Sequence, residues 1–199
     1  MKRIVLTLLL VLVLAAVPVF ARSTYYFTGD TLFCIRAGVT FPSFFSFYNN
    51  PEKGTVTFED THMTLGGTAS IAYQGFVNEQ LAIGGQLEYA FNYSRADIIM
   101  TTVPITAKLT WIPVQTGTFD LAMSVNLGGA FIRYNNGKYF APYAAVTITP
   151  SFFVSDNWGL GIETGLMATA EIYLKNSNKY DQSAIAGLMP ITLVLTYRH

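Results

Sequence analysis

The stretch LAIGGQLEYAFNY, residues 81–93, decides the fold. Its odd positions are Leu81, Ile83, Gly85, Leu87, Tyr89, Phe91 and Tyr93; its even positions are Ala82, Gly84, Gln86, Glu88, Ala90 and Asn92. Wound as a helix, the two sets would mix around the circumference. Extended, they separate onto opposite faces. One face is large and apolar, the other small and polar, and that period-two separation predicts a strand.

The same alternation recurs over Phe33–Phe41, Met63–Tyr73, Val103–Trp111, Phe119–Phe131, Ala144–Phe152, Trp158–Ile172 and Ile185–Tyr197, giving about eight strands in all. The connections also alternate. Gln74–Gln80, Ile112–Thr118 and Val154–Asn157 are short, whereas Pro42–Asp60, Arg133–Phe140 and Leu174–Ser183 are longer, with Ser94–Asp97 the brief member of that second set. Short turns at one end and long loops at the other fit a closed antiparallel up-and-down transmembrane β-barrel, with the long loops outside the cell.

The charged residues inside these strands are Arg36, Glu88, Lys108, Asp120, Glu163, Glu171 and Arg198, and all fall on the small, polar face. A soluble barrel would need the reverse, a greasy inside and a charged outside. Only 12% of the chain is charged, against 51% hydrophobic and 15% aromatic residues, so too little charge remains to solvate a whole exterior. Turned toward lipid, the apolar face matches hydrocarbon, and closure satisfies the backbone. Phe33, Tyr73, Trp111, Phe119, Phe152, Trp158 and Tyr197 gather on that face near the short-turn end, and Phe41, Tyr89, Phe91, Tyr93 and Phe131 near the long-loop end. Two such girdles mark two membrane interfaces, although aromatic residues favour strands in any setting.

Residues 1–21 read as a cleaved signal peptide: Lys2 and Arg3, an apolar run from Ile4 to Ala16, then Pro18 and small residues at Val19 and Ala21. Residues 22–199 form the barrel domain. The full chain is formally neutral, so loss of Lys2 and Arg3 leaves about −2. That balance gives no footing for nucleic acid. The single Cys34 makes no internal disulfide, and no metal-spaced Cys/His cluster, phosphate loop or dinucleotide fingerprint is present; no cofactor, metal or catalytic residue is expected.

The mature sequence resembles the small eight-stranded outer-membrane barrels, namely OmpX, the OmpA membrane domain and the OmpW/OprG group. The resemblance is architectural and covers the whole mature chain. It rests on the leader, the alternating strands, the tryptophans at strand ends and the final strand PITLVLTY, residues 190–197. This last stretch resembles the C-terminal signal read by the barrel-assembly machinery, with Arg198 and His199 following where such signals end on an aromatic. The resemblance implies an outer-membrane location, surrounding lipid and the assembly machinery as partners.

Arg36, Glu88, Lys108, Asp120, Glu163 and Glu171 are expected to form a polar network that fills the lumen, because an eight-stranded barrel is just wide enough for its own side chains. Lys108 and Asp120 are expected to pair diagonally across the turn between their strands. Phe44, Phe45, Phe47 and Tyr48 in the first long loop are candidates for contact with a ligand or host. Three functional readings follow. The leading one is a non-enzymatic barrel with a structural or surface-contact role. A second is a narrow pore or facilitator for ions or small solutes, with hydrophobic solutes among them if the OmpW-like resemblance extends to function. The third is a lipid-modifying enzyme using His62 at the outer rim, for which no nucleophile, base and carboxylate spacing exists.

Overall fold

The computed structural model describes residues 26–47, 55–57, 63–93, 99–134, 137–172 and 183–199. Eight long antiparallel strands close into a barrel: β1 (Thr31–Phe47), β3 (Gly66–Phe76), β4 (Leu81–Tyr93), β5 (Ile99–Gln115), β6 (Phe119–Tyr134), β7 (Gly137–Phe153), β8 (Trp158–Glu171) and β9 (Ala184–Arg198). A three-residue strand, β2 (Thr55–Thr57), adds to the far end of β1. Each long strand pairs with its sequence neighbour, and β1 pairs with β9 from Leu32↔Arg198 to Phe47↔Ala184, which seals the sheet on itself.

Strand β4 has the limits and facing read from its alternation: Ile83, Leu87, Tyr89 and Tyr93 are exposed outward, while Ala82, Gln86, Glu88, Ala90 and Asn92 are buried inward. Most of the other strands run past their expected ends, but β8 stops at Glu171, one residue short, and β3 is displaced, starting at Gly66 and ending at Phe76. Strands β1, β5 and β7 each have 17 residues, beyond the 9–11 or so that a tilted strand needs to cross a bilayer. The expected loop Pro42–Asp60 is therefore strand up to Phe47 and again over Thr55–Thr57, and the expected loop Arg133–Phe140 is strand up to Tyr134 and again from Gly137, its register partner. Alternation fades there because strand ends outside an apolar layer need no greasy face, so periodicity alone reads them as loop.

Local chemistry fixes the short turns. The Asn78 side-chain oxygen accepts the backbone N–H groups of Gln80 and Leu81 at 2.9 and 2.8 Å. Thr116 Oγ1 accepts the Phe119 N–H at 2.8 Å, and Ser155 Oγ accepts the Trp158 N–H at 3.1 Å. In each case one short polar side chain replaces a ladder bond and turns the chain. Glycines set the close approaches. A Cβ on Gly84 would collide with the backbone of Tyr73 and Gln74, whereas one on Gly75 would meet nothing within 4 Å. Gly84→Ala is therefore expected to cost about 1–3 kcal/mol, and Gly75→Ala to stay within about 0.5 kcal/mol of wild type, in urea unfolding of the refolded barrel.

Candidate functional site: a layered lumen

The inward face is stacked in three layers, and the middle one is ionic. Arg36 on β1, Lys108 on β5 and Glu163 on β8 are all buried. Glu163 Oε2 takes Arg36 Nε at 3.0 Å and lies 3.8 Å from Lys108 Nζ. The same oxygen accepts the hydroxyls of Thr147 and Thr149 at 3.2 and 3.0 Å. Lys108 Nζ donates to Gln86 Oε1 at 3.1 Å, and Gln86 Nε2 donates to Glu88 Oε2 at 3.0 Å. Glu88 also accepts from Thr68 Oγ1 at 2.8 Å and from the Tyr143 hydroxyl at 3.3 Å. An unbroken chain of polar contacts thus crosses the lumen from Arg36 to Tyr143. The long cations have room because small residues stand beside them: Lys108 pairs with Gly84 across β4, and Gly38, Gly128 and Gly165 sit at other inward positions.

A second layer closes the short-turn end. Tyr26, ahead of β1, is 1% exposed, stacks on Phe76 with ring centroids 4.1 Å apart, and donates its hydroxyl to Asp120 Oδ2 at 2.5 Å. Leu32, Ala82 and Ile112 pack around it. Burial pushes the Tyr26 phenol well above its usual range, so it remains a neutral donor. Arg198 completes this floor. Its guanidinium lies 3.6 Å from the centre of the Phe153 ring, 3.8 Å from Asp120 Oδ2, and donates to the carbonyls of Asp156 and Gly117. The β5–β6 and β7–β8 turns are thereby tied to the last strand.

The third layer, toward the long-loop end, is apolar on one side and polar on the other: buried Asn92 and Thr102 stand opposite Met100 and Ile132, and Asn92 Nδ2 donates to the carbonyls of Thr40 and Thr64 at 3.2 Å. Ala130, Ile132, Ala141, Tyr143, Ala145, Met167 and Leu188 form one buried cluster, with Met100 and Tyr139 against it. The expected polar filling continues to this end on the β1 and β4 side, where Thr40 Oγ1 donates to Asn92 Oδ1 at 3.2 Å, whereas the wall from β6 to β9 is packed like the core of a soluble sheet. The reason is the overhang of the strands, which there bury side chains against each other as any sandwich does.

The expected network is thus divided. Arg36, Lys108 and Glu163 meet directly, and Glu88 joins them through Gln86. Asp120 belongs to the floor with Tyr26 and Arg198. The expected Lys108–Asp120 pair does not form: Lys108 stands opposite Asn126, and Asp120 lies six positions further along β6, about 20 Å away. Glu171, half-buried, pairs in register with Ala184 at the far end of β8, away from the ionic layer. Tyr26 was not singled out from the sequence; an aromatic just before the Gly29–Asp30 turn, and therefore able to fold back under the barrel, is the signal that was there.

The loop candidates also move. Phe44, Phe45 and Phe47 are strand residues. One extra residue between Pro42 and Phe44 makes a bulge against β9 and reverses the alternation. Phe44 then covers Gly187, while Phe45 and Phe47, in edge contact at 4.9 Å, share the face of the buried Ala184. Tyr48 and His62 lie outside the described residues. Two lumen cavities, of about 30 and 10 Å³, are both lined by Arg36, which stands between them.

Two substitutions separate these layers. Glu163→Gln strands two buried cations and is expected to cost about 3–5 kcal/mol, against about 1 kcal/mol for Glu88→Gln, whose amide keeps partners in Thr68 and Gln86. Tyr26→Phe, which loses the bond to Asp120, should cost about 1–3 kcal/mol. Equilibrium unfolding in urea ranks all three.

Among solved structures, Neisserial surface protein A matches with a TM-score of 0.53 and 12% identity, over 85% of this chain and 97% of that one. The attachment invasion locus protein Ail of Yersinia pestis matches with a TM-score of 0.47 and 11% identity, over 86% of this chain and 99% of that one. OprG of Pseudomonas aeruginosa matches with a TM-score of 0.47 and 9% identity, over 88% of this chain and 98% of that one. No curated protein matches. A family model matches residues 15–197, from ahead of β1 into β9. The chain belongs to the family that this model defines, and its fold is that of the small eight-stranded outer-membrane barrels.

Proposed function

We propose that this protein is a closed, non-enzymatic outer-membrane barrel that holds its long loops at the cell surface and does not conduct. One observation carries the proposal: a lumen crossed by buried, mutually paired side chains inside an exterior of exposed apolar ones. Leu127, Val146, Phe152 and Leu193 are 59%, 59%, 63% and 70% exposed on the outward face. Exposure of this kind is costly in water and matched in hydrocarbon. The aromatic pairs Phe119–Phe152 and Trp158–Tyr197, with centroids 4.9 and 4.8 Å apart, lie toward the short-turn end, and Phe131–Phe140, at 5.0 Å, toward the other. Residues 1–21 serve as the export leader in this reading, and residues 190–197 as the segment presented to the assembly machinery.

A facilitator for small hydrophobic solutes is the second reading. The apolar wall of Ile132, Met167 and Leu188, with Phe45 and Phe47 near the rim, favours it.

Two measurements test these readings. In vesicles containing brominated lipids, Trp111 and Trp158, both exposed outward, should be quenched, more by bromines near the headgroups than by bromines near the chain ends. Unquenched tryptophans in folded protein would remove the membrane reading. In planar bilayers the refolded protein, its fold verified by a heat-modifiable gel band, should be silent. A steady conductance that Arg36→Ala/Glu163→Ala alters would instead make the lumen a pore, and uptake of an apolar solute by loaded vesicles would favour the facilitator.

A further inference from the structure

The outward face carries one electrostatic feature that neither the barrel nor its lumen requires. Among the described residues, every charged side chain at an inward strand position is buried or half-buried, and the charged side chains standing outward are Arg133 on β6 and Lys138 on β7. They are directly opposite each other in the ladder and both are exposed. No acidic neighbour stands beside them on this hairpin: the next outward pair toward the barrel waist is Phe131 and Phe140, in edge contact, and beyond it come Gly129 and Pro142, then Leu127 and Ala144. Like charges directly opposite on neighbouring strands repel, so the sequence places a cost here. An anion between them converts that cost into attraction, and a phosphate has the oxygens to accept from both a guanidinium and an ammonium.

The position suits one source of phosphate. The aromatic pair ends the apolar surface of this hairpin, and the cations come one outward step later, about 7 Å further along the strands. Their long stems can run along the apolar surface and place their heads at headgroup level. Among the described residues, the short turns at the opposite rim carry Asp30, Glu79 and Asp156. We infer that Arg133 and Lys138 form a binding site for the phosphate of a lipid headgroup in the leaflet at the long-loop end. The inference rests on the membrane reading above and adds a lipid class to it.

Native mass spectrometry of the refolded protein in neutral detergent, titrated with diphosphoryl lipid A and separately with phosphatidylcholine, tests the site. The wild type is expected to bind lipid A, and Arg133→Gln/Lys138→Gln to bind it about tenfold more weakly, with phosphatidylcholine occupancy the same in both. Equal lipid A binding by the two proteins overturns the site. Full displacement of lipid A from the wild type by millimolar inorganic phosphate overturns the headgroup as occupant, since the cations would then be reading free phosphate. Both side chains are exposed, so the double variant should keep its heat-modifiable band; if it does not, Arg133→Lys, which preserves the charge, must retain lipid A binding while Lys138→Gln loses it, and any other outcome counts against the site. Failure of the wild type to insert into phosphatidylcholine vesicles would sink the membrane reading itself, whereas an inserted barrel indifferent to lipid A sinks only the site.

Discussion

Everything in this structure depends on the ladder between β1 and β9. Without it, the first and last strands would present two rows of unpaired N–H and C=O groups, a burden for a sheet in water and a prohibitive one in hydrocarbon. With it, from Leu32↔Arg198 to Phe47↔Ala184, the sheet has no free long edge. Thr31 and His199 extend the seal by exchanging backbone bonds at 2.7 and 3.1 Å. Closure at eight strands then sets the width of the interior, and that width sets what the inward residues can be.

A lumen so narrow leaves little solvent for charge. Arg36, Lys108 and Glu163 are stable inside because each meets an opposite charge, and because Thr147 and Thr149 donate to Glu163 and Gln86 accepts from Lys108. The glycines opposite them are the counterpart of this arrangement: a long side chain can cross the lumen only where the facing strand has none. The floor obeys the same rule with different chemistry. Tyr26 fills space with its ring and neutralises part of the cost of burying Asp120 with its hydroxyl, while Arg198 binds backbone carbonyls of two turns. Polar contacts therefore recur at every level of the barrel axis, joined at the long-loop end by an apolar wall.

The bulge at Pro42 to Phe44 shows how one inserted residue redistributes a surface. Below it, β1 obeys simple alternation, with Phe33 and Ile35 exposed and Cys34 and Arg36 buried. Above it the parity is reversed, so that three phenylalanines close in sequence serve two faces. The hairpin of β6 and β7 continues its ladder without interruption past the aromatic pair, and its outward alternation is what brings Arg133 and Lys138 together.

The sequence by itself determined the barrel. Period-two alternation in residues 81–93 and in the other strands, turn residues such as Asn78, Thr116 and Ser155, and the confinement of Arg36, Glu88, Lys108, Asp120 and Glu163 to one face are local properties, because facing in a strand depends only on parity. What tertiary structure decided is everything that parity does not carry. Which inward charges meet depends on the stagger of strands around a closed cylinder, so Lys108 turned to Glu163 on β8 and left Asp120 to Tyr26 and Arg198. The plug made by Tyr26 required a segment outside any strand to fold under the barrel. The apolar wall at the long-loop end, and the basic pair on the outward face, required strands longer than their greasy stretch, a length set by hydrogen bonding between neighbours rather than by the pattern within either one.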